Sequence, residues 1–184
     1  MLKKSLLNLL FAVFACIVSD TMAIEIIAHR GSSFIAPENT MAALVLAWKQ
    51  GAHSAECDVH LTKDNKIMLL HDKSVKRTGG VDINIAETDS KTLRTIDVGC
   101  WKDAKYKGEK IPFLEDVIKA IPKGKKLVIE VKCGPEILPY LEKVIRKSGK
   151  KGQLEIIAFN LDVVAGSKKI MPEIPAYWLI SAEK

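Results

Sequence analysis

The chain has 184 residues, 27% of them charged and 48% hydrophobic, with a formal net charge of +6. Those proportions exclude a disordered tail, a collagen-like fibre and a multi-pass membrane protein. The basic residues are scattered rather than massed, which argues against nucleic acid as a partner.

Lys3 and Lys4 precede an apolar run over 6–18 that only Asn8 interrupts, and Thr21-Met22-Ala23 follows with the small residues a signal peptidase reads. The run is shorter than the ~20 apolar residues a membrane span needs. Residues 1–23 are therefore expected to be a signal peptide cleaved after Ala23, with no stable membrane insertion afterwards. Residues 24–184 are then one exported domain, periplasmic or secreted. Cys16 leaves with the signal, and Cys57, Cys100 and Cys133 form an odd set without zinc spacing. They are expected to be packing residues.

Residues 24–28 form an apolar run broken only by Glu25 and predict a first strand. Met41, Leu44, Val45 and Trp48 recur at helical spacing between Pro37-Glu38-Asn39-Thr40 and Gly51. Residues 52–59 and 67–70 predict strands joined by a polar turn over 62–66. Residues 72–111 then break the rhythm with Thr78-Gly79-Gly80, a small apolar set (Val81, Ile83, Ile85), Trp101 and Tyr106. So long an interval is either functional or a solvated insertion, and it is expected to lie over one end of the sheet. Pro112 opens a helix carrying Leu114, Val117, Ile118 and Ile121. A strand over 127–131 follows, then a helix with Leu138, Leu141, Val144 and Ile145 on one face, closed by Gly149. A fifth strand over 154–159, a helix over 161–170 and a sixth strand over 176–180 complete the pattern. Strands separated by helices predict an α/β fold with a parallel sheet and right-handed crossovers.

Several strands end in residues that an apolar interior would reject. His29 and Arg30 follow the first, His71 follows the third, and Glu56 with Asp58, and Glu130 with Lys132, alternate so that each pair shares a face. Such positions fall near the carboxyl edge of a parallel sheet, where ligands bind. Three carboxylates facing one space repel, and an unpaired buried charge protonates rather than stays charged. A hard divalent cation resolves the conflict, so Glu56, Asp58 and Glu130 are assigned to a metal, calcium or magnesium. An internal salt-bridge set, with Arg30 and Lys132 neutralising the acids, is the competing arrangement. If the acids hold a metal, Arg30 and Lys132 suit an anion such as phosphate. Histidine can give or take a proton at neutral pH, which makes His29 and His71 the candidate general acid and base. His53 and His60 lack that setting and are expected to be structural.

His29-Arg30-Gly31, Pro37-Glu38-Asn39-Thr40, Glu56-Cys57-Asp58, His71-Asp72 and Glu130-Val131-Lys132, in this order, resemble the glycerophosphodiester phosphodiesterase family. Thr78-Gly79-Gly80, Asp97-Val98-Gly99 with Trp101, and the run 108–112 are similar to its inserted region. The resemblance covers residues 26–180 and implies a TIM (β/α)8 barrel with a small insertion, about 72–111, after strand three. A full barrel of this kind takes ~250 residues, so this one is expected to be cut short after about six β/α units. The resemblance also implies a divalent cation on Glu56, Asp58 and Glu130, His29 and His71 as the acid–base pair, and Arg30 and Lys132 on the phosphate. Glu38 would support them, bonding a histidine or a metal-bound water. The implied reaction hydrolyses a small glycerophosphodiester to sn-glycerol 3-phosphate and an alcohol, with His29 as base and His71 as acid. Two alternatives remain open: a non-catalytic remnant or binding module, and a phospholipase D-like enzyme acting on lysolipids. The oligomeric state is not legible.

Overall fold

The computed structural model describes residues 24–181; the expected signal peptide lies outside them. Six strands form one sheet: β1 (Ile27–Ala28), β2 (Ser54–Leu61), β3 (Ile67–Leu69), β4 (Lys126–Val131), β5 (Leu154–Ala158) and β6 (Ala176–Trp178). Five of them run parallel in the order β1-β2-β4-β5-β6, and β3 pairs with β2 and, through Met68, bridges to Phe113. The helices α1 (Met41–Lys49), α4 (Leu114–Ala120), α5 (Leu138–Ser148) and α6 (Leu161–Ile170) fall between the parallel strands. Two one-turn helices, α2 (Lys76–Gly79) and α3 (Ser90–Leu93), lie in the excursion between β3 and α4. Among the described residues no helix is long and apolar enough to cross a membrane.

The third strand runs against the direction that a parallel sheet requires, with Val59 opposite Leu69 and Leu61 opposite Ile67. The reason is the length of the turn. A parallel connection needs a dozen or more residues, and the five over 62–66 suffice only for a hairpin. Thr62 makes that turn tight: its amide donates to the Lys66 carbonyl (2.9 Å), its hydroxyl accepts from the Lys66 amide (2.9 Å), and Asn65 takes a left-handed conformation, φ 59°. The excursion therefore leaves from a hairpin raised on β2, although in chain order it does follow the third strand.

Alternation along the strands separates two chemistries. Ala55, Cys57 and Val59 of β2, Leu127, Ile129 and Val131 of β4, and Ile156 and Ala158 of β5 are buried under the helices. They pack with Leu44 and Trp48 of α1, Leu114, Val117 and Ile118 of α4, Leu141 and Ile145 of α5, and Val163 and Val164 of α6. Each of the larger apolar side chains contributes roughly 1.5–3 kcal/mol by leaving water. Glu56, Asp58 and Glu130 point to the opposite face. The excursion has a small core of its own, with Val75, Ile85, Leu93, Val98 and Ile111 around Met68 and Leu70. It is a packed cap, not a solvated loop. Cys57 is buried and Cys133 packs against the core, whereas Cys100 is exposed, so the packing role expected of all three fails there.

Candidate active site

The chain leaves β1 through two consecutive left-handed residues, Arg30 (φ 57°) and Gly31 (φ 77°). Gly31 has a second constraint: a Cβ there would lie 2.6 Å from the Ala43 carbonyl carbon in α1. The Ser32 amide donates to that residue's carbonyl oxygen at 2.9 Å, fixing the loop on the helix. Holding a non-glycine residue such as Arg30 left-handed costs roughly 1–2 kcal/mol. What it achieves is visible in its contacts. Its amide donates to Glu56 Oε2 at 2.7 Å, its Nε lies 3.3 Å from Asp58 Oδ2, and its Nη1 donates to Glu38 Oε1 at 3.1 Å.

Thr40 caps α1, its hydroxyl accepting from the Ala43 amide at 3.3 Å, and such a cap contributes about 1 kcal/mol. Asn39, buried and left-handed at φ 56°, clasps Asp58 from both sides: Nδ2 donates to Asp58 Oδ2 (2.8 Å) and Oδ1 accepts from the Asp58 amide (3.0 Å). Register does the rest, setting Asp58 directly beside Glu130 on the neighbouring strand.

Glu56, Asp58 and Glu130 are all buried, and one oxygen from each lies within 4.8 Å of the others. Burial, reinforced by the charges of Asp58 and Glu130, pushes the Glu56 carboxyl up to about 8. Lys132 donates to Glu130 Oε1 (2.8 Å) and its Nζ stands 3.6 Å from Asp58 Oδ1. The internal salt bridges weighed against a metal thus exist, but they do not satisfy the set. Glu56 Oε1 and Asp58 Oδ1 are buried and accept no hydrogen bond, because the Lys132 contact is an ion pair beyond bonding distance. Two orphaned carboxylate oxygens among three clustered acids fit a hard divalent cation, which takes oxygen ligands and supplies the missing charge.

His29 flanks this cluster, its Nε2 4.0 Å from Glu56 Oε2 and its side chain two-thirds exposed. His71 stands where the excursion leaves β3, and its Nδ1 lies 2.7 Å from Asp72 Oδ1. Asp72 is in turn bound by Arg77, whose Nε donates to Oδ2 at 2.7 Å. The Arg77 hydrogen bond is the chief reason the Asp72 carboxyl is pulled down to about 2. Glu38 accepts from Arg30 and, through both oxygens, from Arg77 (2.9 and 2.7 Å). Burial would raise its pKa, but the two guanidiniums outweigh it and hold the carboxyl below its ordinary range. Of the two partners expected, a histidine or a metal-bound water, the histidine is not the one it bonds; its side-chain partners here are these arginines. A cavity of about 620 Å³ opens beside Glu130 and Lys132, lined also by Lys73 of the excursion and by Phe159 and Asn160 beyond β5.

All eight residues singled out in the sequence come to this one end of the sheet. Four others join them that the sequence reading left without a role. Asn39 and Asp72 stood inside quoted motifs. His60 is buried on the acid-bearing face, its Nε2 3.3 Å from the His71 carbonyl, and burial lowers its pKa. The signal for it was available, since it continues the alternation of Glu56 and Asp58. Nothing in the spacing pointed to Arg77. His53, by contrast, is structural, its Nδ1 accepting from the Ile26 amide at 3.1 Å.

Residues 29–183 match the model of the glycerophosphoryl diester phosphodiesterase family. A glycerophosphodiester phosphodiesterase of Caldanaerobacter subterraneus is 35% identical over 154 residues, covering 81% of this chain and 63% of the relative. The chain thus spans less than two thirds of that relative's length. Among solved structures, an Oleispira antarctica phosphodiesterase in complex with the product sn-glycerol-3-phosphate superposes with a TM-score of 0.82 at 34% identity, covering 86% of this chain and 67% of that one. A glycerophosphodiester phosphodiesterase from Agrobacterium tumefaciens superposes with a TM-score of 0.76 at 29% identity over 83% and 65% of the two chains. With a matching model over nearly all described residues, and a barrel-type parallel sheet that carries acids, histidines and cations at its carboxyl end, the chain belongs to the glycerophosphoryl diester phosphodiesterase family.

Proposed function

We propose that this protein hydrolyses glycerophosphodiesters to sn-glycerol 3-phosphate and an alcohol, in a reaction that depends on calcium or magnesium. The observation that carries the reading is the buried triad Glu56, Asp58 and Glu130, with two orphaned oxygens, His29 beside Glu56, Arg30 on Asp58 and Lys132 on Glu130.

A divalent cation on the three carboxylates would relieve their repulsion and draw charge from the phosphoryl oxygens. Arg30 and Lys132 orient the diester by its anionic oxygens, exchanging part of their contact with Asp58 and Glu130 for the phosphate. His29, the more open imidazole, takes the proton from the attacking oxygen, either a water or the substrate's glycerol hydroxyl. That oxygen bonds to phosphorus as the bond from phosphorus to the leaving alcohol breaks, and protonated His71 gives its proton to the departing oxygen. Attack by water yields sn-glycerol 3-phosphate at once. Attack by the hydroxyl closes a cyclic phosphodiester, which a water deprotonated by the now neutral His71 opens to sn-glycerol 3-phosphate as protonated His29 returns its proton to the ring oxygen. Asp72, held ionised, can only accept a hydrogen bond, so His71 Nδ1 carries the donor and Nε2 is the nitrogen that exchanges the proton. With residues 1–23 as an export signal, the substrate is met in the periplasm or outside the cell.

The test is glycerophosphocholine turnover by the purified chain, read as released glycerol 3-phosphate. Activity with calcium or magnesium should vanish with a chelator and fall at least about 100-fold in His71→Ala. Saturable metal binding without turnover in the folded protein would instead identify a binding module.

A further inference from the structure

We propose that Arg77 is a positioning residue for this site: by bridging Asp72 and Glu38 it holds the excursion against the β1 loop and keeps His71 bound to Asp72 in one tautomer. The inference rests on the reading of His71 as the proton-transfer group.

The guanidinium uses its three nitrogens on two carboxylates from different parts of the fold. Nε donates to Asp72 Oδ2 at 2.7 Å, while Nη1 and Nη2 donate to Glu38 Oε2 and Oε1 at 2.9 and 2.7 Å. The other oxygen of Asp72 lies 2.7 Å from His71 Nδ1, and Glu38 Oε1 also accepts from Arg30 at 3.1 Å. One cation therefore reaches both the histidine supplied by the excursion and the phosphate-orienting arginine supplied by the β1 loop. Only a planar fork can do this; a lysine ammonium is a single point.

Local structure places the fork firmly. Arg77 sits on α2, a single turn whose Val75 and Thr78 are buried. Gly79 lets that turn settle, since a Cβ there would lie 2.6 Å from the side chains of Val75 and Ile96. A partly exposed ion pair ordinarily contributes little to stability. The position of Arg77 between a candidate acid and its neighbours assigns it to geometry instead.

The experiment combines kinetics with nitrogen NMR of the His71 ring in the full chain loaded with magnesium. Wild type should show neutral His71 protonated at Nδ1. Arg77→Ala should mix the two tautomers and lower kcat for glycerophosphocholine by about tenfold to a hundredfold with little change in KM. Arg77→Lys should fall between, and Asp72→Asn combined with Arg77→Ala should lose less than the product of the two single losses. If Arg77→Ala does not fold, Arg77→Lys and Asp72→Asn give the same readings. A folded Arg77→Ala or Arg77→Lys with an unchanged tautomer and unchanged kcat overturns the inference. Absence of turnover in the wild type would overturn the hydrolase reading alone, because the ring nitrogens still report on Arg77.

Discussion

Glu56 concentrates the electrostatic problem of the site in one side chain. Its folded pKa is raised from 4.5 to about 8 by burial and by the neighbouring acids. In metal-free protein this contribution to stability is fully present below the unfolded value and is lost as pH rises from there to about 8, a change on the order of 5 kcal/mol. Metal-free protein should therefore melt at lower temperature near pH 8 than near pH 5, and Glu56→Gln should flatten that slope. Magnesium or calcium at the higher pH should restore the melting temperature of wild type but not of the variant. Thermal unfolding followed by circular dichroism reads all three. The acids were legible because Glu56, Asp58 and Glu130 alternate with buried apolar residues. Arg77 was not, because its partners lie 5 and 39 positions away and no spacing rule joins a surface arginine to either.

At the scale of elements, the loop after β1 is the most constrained piece of backbone in the site. Gly31→Ala would force a methyl group to within 2.6 Å of backbone in α1 at a positive φ. The variant should lose at least about 2 kcal/mol, seen as a lower urea midpoint, and should weaken metal affinity because Arg30 and Asn39 move with the loop. The helices were the readable elements: α6 coincides with its expected span over 161–170, and α5 stops at the residue before Gly149. Strand lengths were less so. The first strand shrinks to Ile27–Ala28, the two residues that pair with Ser54 and Ala55 of β2. The direction of β3 was hidden for another reason. Its sequence, Ile67-Met68-Leu69, is as apolar as a parallel strand, and only the short turn before it distinguishes the two.

For the molecule as a whole, the site is divided between two packed bodies. The sheet supplies the acids, His29, Arg30 and Lys132, and the excursion supplies His71, Asp72 and Arg77. Leu93 is fully buried in the smaller core, and Leu93→Ala should cost about 2–5 kcal/mol there. Hydrogen exchange should accelerate across residues 72–111 while the amides of β2 and β4 keep their protection. Uniform acceleration would mean that the two cores unfold as one.

From Asp58 outward, the charges of Arg30, Glu38, Arg77 and Asp72 alternate in sign, and solvent reaches them unequally. Side-chain exposure is 0% at Asp58, 20% at Arg30 and 12% at Glu38, but 42% at Arg77 and 35% at Asp72. Dissolved ions screen the outer contacts far more than the sheltered ones, since the Debye length is about 8 Å at 0.15 M ionic strength. Added salt should therefore slacken the hold on His71 more than it disturbs the buried carboxylates Glu56, Asp58 and Glu130.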